Sequence, residues 1–256
     1  MRYTEKIKFF PFLPILALML CCSRPVEVRA EKILKIGVEG NCPPFSYEEE
    51  GGLSGFNVEI ARALCVAMGR RCEFFAMPRD GLRTELREGR LDLVMDVRAT
   101  SGCSEYMAFS APYFHARFIY VGRIPRGRIE ENRPVRIGVC AGGGLQRYLE
   151  ETDALPHGTV VADEAGNIFA ALRKGELDVM LVNSLQAYAF LASGAGGQFE
   201  TVGDPLPLEA FSTSHHIGMR KDDGNLGAAV DRALQEMRYN GLFLQINRAW
   251  FSHTLY

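Results

Sequence analysis

The chain is poor in several things, and each shortage excludes something. It has one tryptophan and five histidines among 256 residues. His215 and His216 are adjacent, so on a strand they point to opposite faces and do not assemble a metal site with the cysteines. No excess of charge is present either: 29 Lys and Arg stand against 31 Asp and Glu, a net of −2. That balance argues against a nucleic-acid partner. CAGGGL (Cys140–Leu145) lacks the Gly-Lys-Ser/Thr of a phosphate loop and the spacing of a dinucleotide fingerprint. No Ser/His/Asp or Cys/His motif is legible, which leaves Asp96 as the obvious acid–base candidate for any enzyme. Beyond the first thirty residues no apolar run is long enough to span a bilayer.

What is present begins with a leader pattern. Arg2, Lys6 and Lys8 form a basic head, FFPFLPILALMLCC (Phe9–Cys22) is an uncharged apolar run, and Val28-x-Ala30 is a small-residue cleavage pattern. We expect residues 1–30 to be a secretory signal peptide cut before Glu31, and the protein to be periplasmic. The run is short for a membrane anchor and holds two prolines. Lipoprotein anchoring at Cys21 or Cys22 is the lesser alternative, because bulky Leu18-Met19-Leu20 precedes them. Without its first 30 residues the 256-residue chain keeps 226, with 24 basic against 29 acidic side chains, about −5.

Five cysteines then remain: Cys42, Cys65, Cys72, Cys103 and Cys140. An oxidising compartment favours pairing, and an odd number leaves at least one thiol over. Cys65 lies near the end of an expected helix, Gly69 stops that helix, and Cys72 opens the next strand. A Cys65–Cys72 disulfide would pin this corner, worth roughly 2–3 kcal/mol.

The chain also writes one phrase twice. LREGRLDLVM (Leu86–Met95) and LRKGELDVML (Leu172–Leu181) agree at five of ten positions, 86 residues apart. Each decodes as a helix end, a glycine stop (Gly89, Gly175) and an apolar strand. Strands are expected at Lys32–Val38, Cys72–Met77, Val135–Val139, Thr159–Val161 and His216–Arg220. Helices are expected at Phe56–Met68, from near Asp80, and at Leu145–Glu151, Ser184–Ala192, Asn225–Arg238 and Leu242–Trp250. Continuous apolar strands separated by helices belong to mostly parallel sheets buried on both faces. Each half reads β-α-β-α-β, so the fold class is α/β in two similar lobes. Residues 31–118 and 217–256 form lobe 1 if the tail returns to it, and residues 119–216 form lobe 2. Arg117–Arg123 and Phe211–His216 would cross between them as a double hinge. Ligands of such sheets bind beyond the carboxyl ends of the strands.

Four segments in order carry a family resemblance. NCPPFSYEEEGGLSGFNVEIARAL (Asn41–Leu64), AFSAPYF (Ala108–Phe114), VRIGVCAGGG (Val135–Gly144) and His215–Phe251 resemble the signature phrases of family 3 periplasmic solute-binding proteins. The resemblance covers nearly all of Glu31–Phe251. It implies a type II periplasmic binding-protein fold with mixed, mostly parallel sheets and a double-stranded hinge. It also implies capture of a small solute for an ABC permease in the inner membrane, by a monomer without cofactor or metal. The Cys65/Cys72 spacing recurs as a disulfide in some relatives.

The family's ligand anchors are changed. Its Thr-x-x-Arg keeps Thr100, but the Arg position is Cys103. Its Gly-Thr-Thr is Gly142-Gly143-Gly144, the Asp for the ammonium group is Asn183, and the stacking aromatic falls at Cys42. New charges stand near: Asp96 and Arg98 on one side of an extended stretch, and Arg79 by the same cleft. Arg98 or Arg79 could hold a carboxylate by two hydrogen bonds, and Asp96 could accept an ammonium. The other reading is an Asp96–Arg98 ion pair at the rim. Cys42 and Cys103 pair with each other, bind a soft metal, which would need more ligands, or sit as thiols. Gly143 and Gly144 face an anion with free N–H groups or make a plain turn. Among the aromatic residues, Phe45 is the one expected to touch the cleft. The expected function is therefore capture of a small polar or anionic solute, amino-acid-like or carboxylate. The alternatives are an enzyme resembling periplasmic dehydratases on the same fold, or a sensor or accessory protein without transport.

Overall fold

The computed structural model describes residues 33–99, 104–123, 134–142, 144–151, 158–203, 205–206 and 214–251. The expected signal peptide, Thr100, Cys103, Gly143 and the first half of the second crossing segment, residues 211–213, lie outside these residues. The elements begin with β1 (Leu34–Val38), β2 (Asn41–Cys42), β3 (Ser46–Glu49), β4 (Gly52–Ser54) and α1 (Phe56–Ala67). Then come β5 (Cys72–Ala76), α2 (Arg79–Arg87), β6 (Leu93–Val97), β7 (Met107–Phe109), β8 (Phe114–His115) and β9 (Phe118–Arg123). The middle of the chain gives β10 (Arg136–Cys140), α3 (Gly144–Glu151), β11 (Thr159–Asp163), α4 (Ala165–Lys174), β12 (Val179–Asn183) and α5 (Ser184–Ala192). The last elements are β13 (Phe199–Val202), β14 (Ser214–Arg220), α6 (Gly224–Tyr239) and α7 (Leu242–Trp250).

Two large sheets result. The first runs β5-β1-β6-β14-β7, with β8 on β14; the second runs β11-β10-β12-β9-β13. In both, three neighbouring strands are parallel and the rest join antiparallel. A three-stranded β2-β3-β4 meander stands apart. Each large sheet is covered on both faces, as the continuous apolar strands require. Ile36, Leu64, Tyr113, Leu234 and Phe243 belong to one core cluster of the first sheet, and Leu82, Leu86, Leu91 and Val94 to the other. Ile168, Leu172 and Met180, and separately Ile137, Val139 and Leu181, do the same for the second.

The repeated phrase has a physical meaning. Asp92 accepts the Lys35 N–H through its side chain at 3.0 Å and gives its own N–H to the Lys35 carbonyl at 2.8 Å. Asp178 makes the same reciprocal pair with Arg136, at 2.8 and 3.0 Å. The repeated leucine then lies over the glycine of the neighbouring strand. A Cβ at Gly37 would stand 2.5 Å from Leu91 Cδ1, and one at Gly138 2.4 Å from Leu177 Cδ1. Asp and Leu thus pin and cover strand β1 in one sheet and β10 in the other.

Local chemistry sets the element ends. α1 starts after Gly55, whose φ of 121° and approach to the Phe45 carbonyl leave no room for a side chain. α4 closes on Gly175 in the left-handed conformation. Cys65 and Cys72 are joined by the expected disulfide at the corner between α1 and β5. The C-terminal helices α6 and α7 pack on α1 and add Leu234, Met237 and Phe243 to the first sheet's core.

Candidate ligand-binding cleft

The ends of β1, β6, β10 and β12 supply Glu39, Asp96, Arg98, Cys140 and Asn183 to a small cavity region. One part is lined by Cys42, Arg79, Asp96, Arg98, Phe118, Cys140, Asn183, Gln186 and His215, with a volume of about 30 Å³. The other adds Glu39, Arg83 and Gly144. Elements of both sheets meet here. Gln186 Nε2 on α5 donates to Cys42 Sγ at 3.2 Å and to the Pro43 carbonyl at 3.4 Å. Asn41 Nδ2 donates to Asn167 Oδ1 at 3.3 Å.

Asp96 is the centre of the arrangement. Its φ of 59° is the left-handed backbone region, unusual for a residue with a side chain. That turn at the end of β6 aims its carboxylate at His215, whose Nδ1 lies 2.5 Å from Oδ1. Both side chains are almost fully buried, at 7% and 5% exposure. Burial alone would raise the Asp96 carboxyl, but His215, Arg79 and Arg98 outweigh it and hold it at about 2. Burial pulls His215 below its ordinary value against the pull of Asp96. Burial favours the neutral imidazole, in which Nδ1–H donates to the Asp96 carboxylate. His215 is further fixed by stacking on Phe114 at 4.1 Å. His216 points the other way, with Nδ1 2.7 Å from the Ser110 carbonyl oxygen.

The two arginines differ. Arg79, the first residue of α2, donates through Nε and Nη2 to both oxygens of Glu39, at 3.0 and 2.6 Å. Burial opposes its charge, but Glu39 and Asp96 more than restore it. The Arg98 guanidinium carbon lies over the Phe118 ring, 4.7 Å from its centre. Its Nη1 is buried without a hydrogen-bond partner among the described residues. Burial and the neighbouring Arg79 pull the Arg98 guanidinium down to about 10, so it stays charged but under-compensated. An anion beside it would relieve both deficits.

Of the residues expected from the sequence, Cys42, Arg79, Asp96, Arg98, Gly144 and Asn183 come together here. Phe45 does not. It is fully buried between Phe56, Phe114 and Phe251 in the aromatic core, because the turn after Cys42 folds it under α1. Asn183 lines the cavity, but its amide is spent on α5: Oδ1 accepts the Gln186 N–H and Nδ2 donates to Gln186 Oε1. The loop before α3 carries an acid against it: a Cβ on Gly142 would stand 2.6 Å from Asp80 Oδ1. The Gly142 N–H donates to Gln146. Glu39, Phe118, Gln186 and His215 were missed. Glu39 directly follows β1, so the strand-end rule could have found it. His215 has no comparable local signal.

Metal-ligating atoms of Glu39, Cys42 and Asp96 lie within 4.8 Å of one another. Both carboxylates are already engaged, and Arg79 and Arg98 place two positive charges at the same spot, so this donor set favours an anion over a cation. Burial pushes the Cys42 thiol up, with Glu39 adding to it, and raises Cys140 to about 12. Both are free, neutral thiols without nucleophilic activation.

The profile of bacterial extracellular solute-binding proteins, family 3, matches residues 34–253, and the chain belongs to that family. Its fold is the type II periplasmic binding-protein fold. The chain is similar to the L-arginine-binding protein of Pseudomonas aeruginosa, 29% identical over 238 residues, covering 89% of this chain and 91% of that one. It is similar to the histidine-binding periplasmic protein of Escherichia coli K12, 26% identical over 232 residues, covering 87% and 89%. Among solved structures it resembles an ancestral arginine-binding protein bound to arginine, with TM-score 0.73 and 25% identity over 86% of this chain and 98% of that one. Among the described residues no helix is long and apolar enough to cross a membrane.

Proposed function

We propose that this protein captures a small anionic solute in the periplasm and delivers it to an ABC importer, with Arg98 as the carboxylate anchor. The observation that carries the reading is the buried Arg98, a cleft-lining residue whose guanidinium lies over Phe118 and whose Nη1 has no hydrogen-bond partner among the described residues. The similar amino-acid-binding proteins support a small zwitterion-sized guest. The family's own anchors, however, are Cys103 and Asn183 here, so the guest is held differently. Arg79 is the supporting charge, already neutralised by Glu39, and Gly144 and Cys42 complete the walls. Binding across the two sheets would draw them together as a hinge closure.

The test is a thermal-shift screen of the full chain with amino acids, dicarboxylates, amines and sugar acids, followed by Arg98→Ala on any hit. Loss of one to three charge-assisted hydrogen bonds predicts a drop in affinity of roughly 100-fold. A hit that binds Arg98→Ala as tightly as the parent removes Arg98 from the site. The buried Asp96–His215 pair favours a second reading, an acid–base enzyme on this fold. Turnover of a bound ligand, rather than stabilisation alone, would establish it.

A further inference from the structure

We infer that the cleft is matched to a small 2-hydroxy acid, its carboxylate on Arg98 and its hydroxyl donating to His215. This rests on the Arg98 reading above and names the solute class within it. Two residues that line one cavity each carry a buried polar atom with no hydrogen-bond partner among the described residues: Arg98 Nη1 and His215 Nε2. Buried polar groups are normally paired, so two orphans in one small space describe what the missing guest must offer.

Their polarities follow from chemistry once His215 is in the neutral form that its burial favours. Arg98 Nη1 can only donate. Asp96, as a carboxylate, can only accept, so His215 Nδ1 carries the hydrogen across the 2.5 Å contact. The other ring nitrogen of the neutral imidazole then holds a lone pair and can only accept. The complement is an anionic oxygen beside an O–H or N–H group.

Charge separates those two. The N–H of an amino acid belongs to an ammonium, which needs an unengaged carboxylate when buried. Asp96 gives Oδ1 to His215 and its charge is set against Arg79 and Arg98, both oxygens of Glu39 are held by Arg79, and Asn183 is uncharged and bonded to Gln186. A hydroxyl donates the same hydrogen bond without that charge. The part of the cavity that His215 lines is small, about 30 Å³, so the shortest acids are the first probes. Sites built to bond a ligand hydroxyl reject analogues lacking it far more strongly than apolar pockets reject a methylene.

Calorimetric titration of the full chain with glycolate, both lactate enantiomers and glycerate, each against its partner glycine, alanine or serine, reads this directly. Acetate and pyruvate serve as carboxylates without a donor. A hydroxy acid should bind at least about 100-fold more tightly than its amino counterpart, and about 10-fold or more above acetate or pyruvate. His215→Gln retains an acceptor and should keep part of the preference. His215→Phe, which can still stack on Phe114, should bring lactate down to the level of pyruvate. Equal binding of lactate and alanine, or of lactate and pyruvate, overturns the inference while leaving the Arg98 anchor standing. Failure of every carboxylate to bind overturns both.

Discussion

The two sheets use the same device at one end of their strands and opposite chemistry at the other. At the start of β1 and β10, Asp92 and Asp178 make the same reciprocal backbone pair, and Leu91 and Leu177 cover the equivalent glycines, Gly37 and Gly138. At the far end the copies part. β6 finishes in Asp96, with a left-handed backbone and a buried histidine partner, followed by Arg98. β12 finishes in Asn183, whose amide caps the helix it precedes. The duplicated phrase is thus a folding element, and the functional difference begins where the identity ends. The first sheet brings charge to the cleft; the second brings neutral walls, an amide and a thiol.

Three comparisons test that symmetry. The largest effect is expected from Leu91→Ala and Leu177→Ala, since both leucines are buried, at 2% and 4% exposure, against a neighbouring strand. Each should cost about 2–5 kcal/mol in urea denaturation, and the two values should agree within the spread of such cavities. A large loss in one and almost none in the other would break the equivalence. Next come Asp92→Ala and Asp178→Ala, each leaving a strand N–H without its acceptor at roughly 1–3 kcal/mol. Both should lower the melting temperature without weakening any solute found by screening. A specific loss of solute affinity would show that the phrase reaches the site. The smallest effect separates the far ends. Asn183→Ala should cost about 1 kcal/mol as a lost helix cap, whereas Asn183→Asp, an equally good cap, should be nearly neutral for stability. Asn183→Asp also restores a carboxylate to the cleft, so it should shift preference toward an amino acid over its hydroxy counterpart.

Much of the frame was legible because its signals are local. The glycine stops at Gly89 and Gly175, the apolar runs of β6 and β12, and the Cys65–Cys72 corner each lie within about ten residues of chain. The disagreements are of two kinds. β6 begins at Leu93 rather than Leu91, because Leu91 and Asp92 serve the turn that pins β1. Phe45 was misplaced because an aromatic next to a loop motif looks the same in sequence whether it turns inward or outward. The site itself resisted, since its decisive pairings are distant. Glu39 reaches Arg79 across 40 positions, and His215 reaches Asp96 across 119. Alternation along β14 separates the faces of His215 and His216 but names no partner for either. Only the fold distinguishes Arg79, neutralised by Glu39, from Arg98, whose Nη1 has no hydrogen-bond partner among the described residues.

The placement of β14 governs when the molecule can be completed. The first sheet needs this strand between β6 and β7, yet it is drawn from Ser214–Arg220, and the helices that close its core follow still later. The strands of the second sheet, by contrast, all lie within 118–202. During synthesis the second sheet has all its strands once Val202 has emerged, while the first waits with its middle missing until Ser214–Arg220 follows. A polypeptide arranged this way keeps its first sheet open for as long as β14 is withheld.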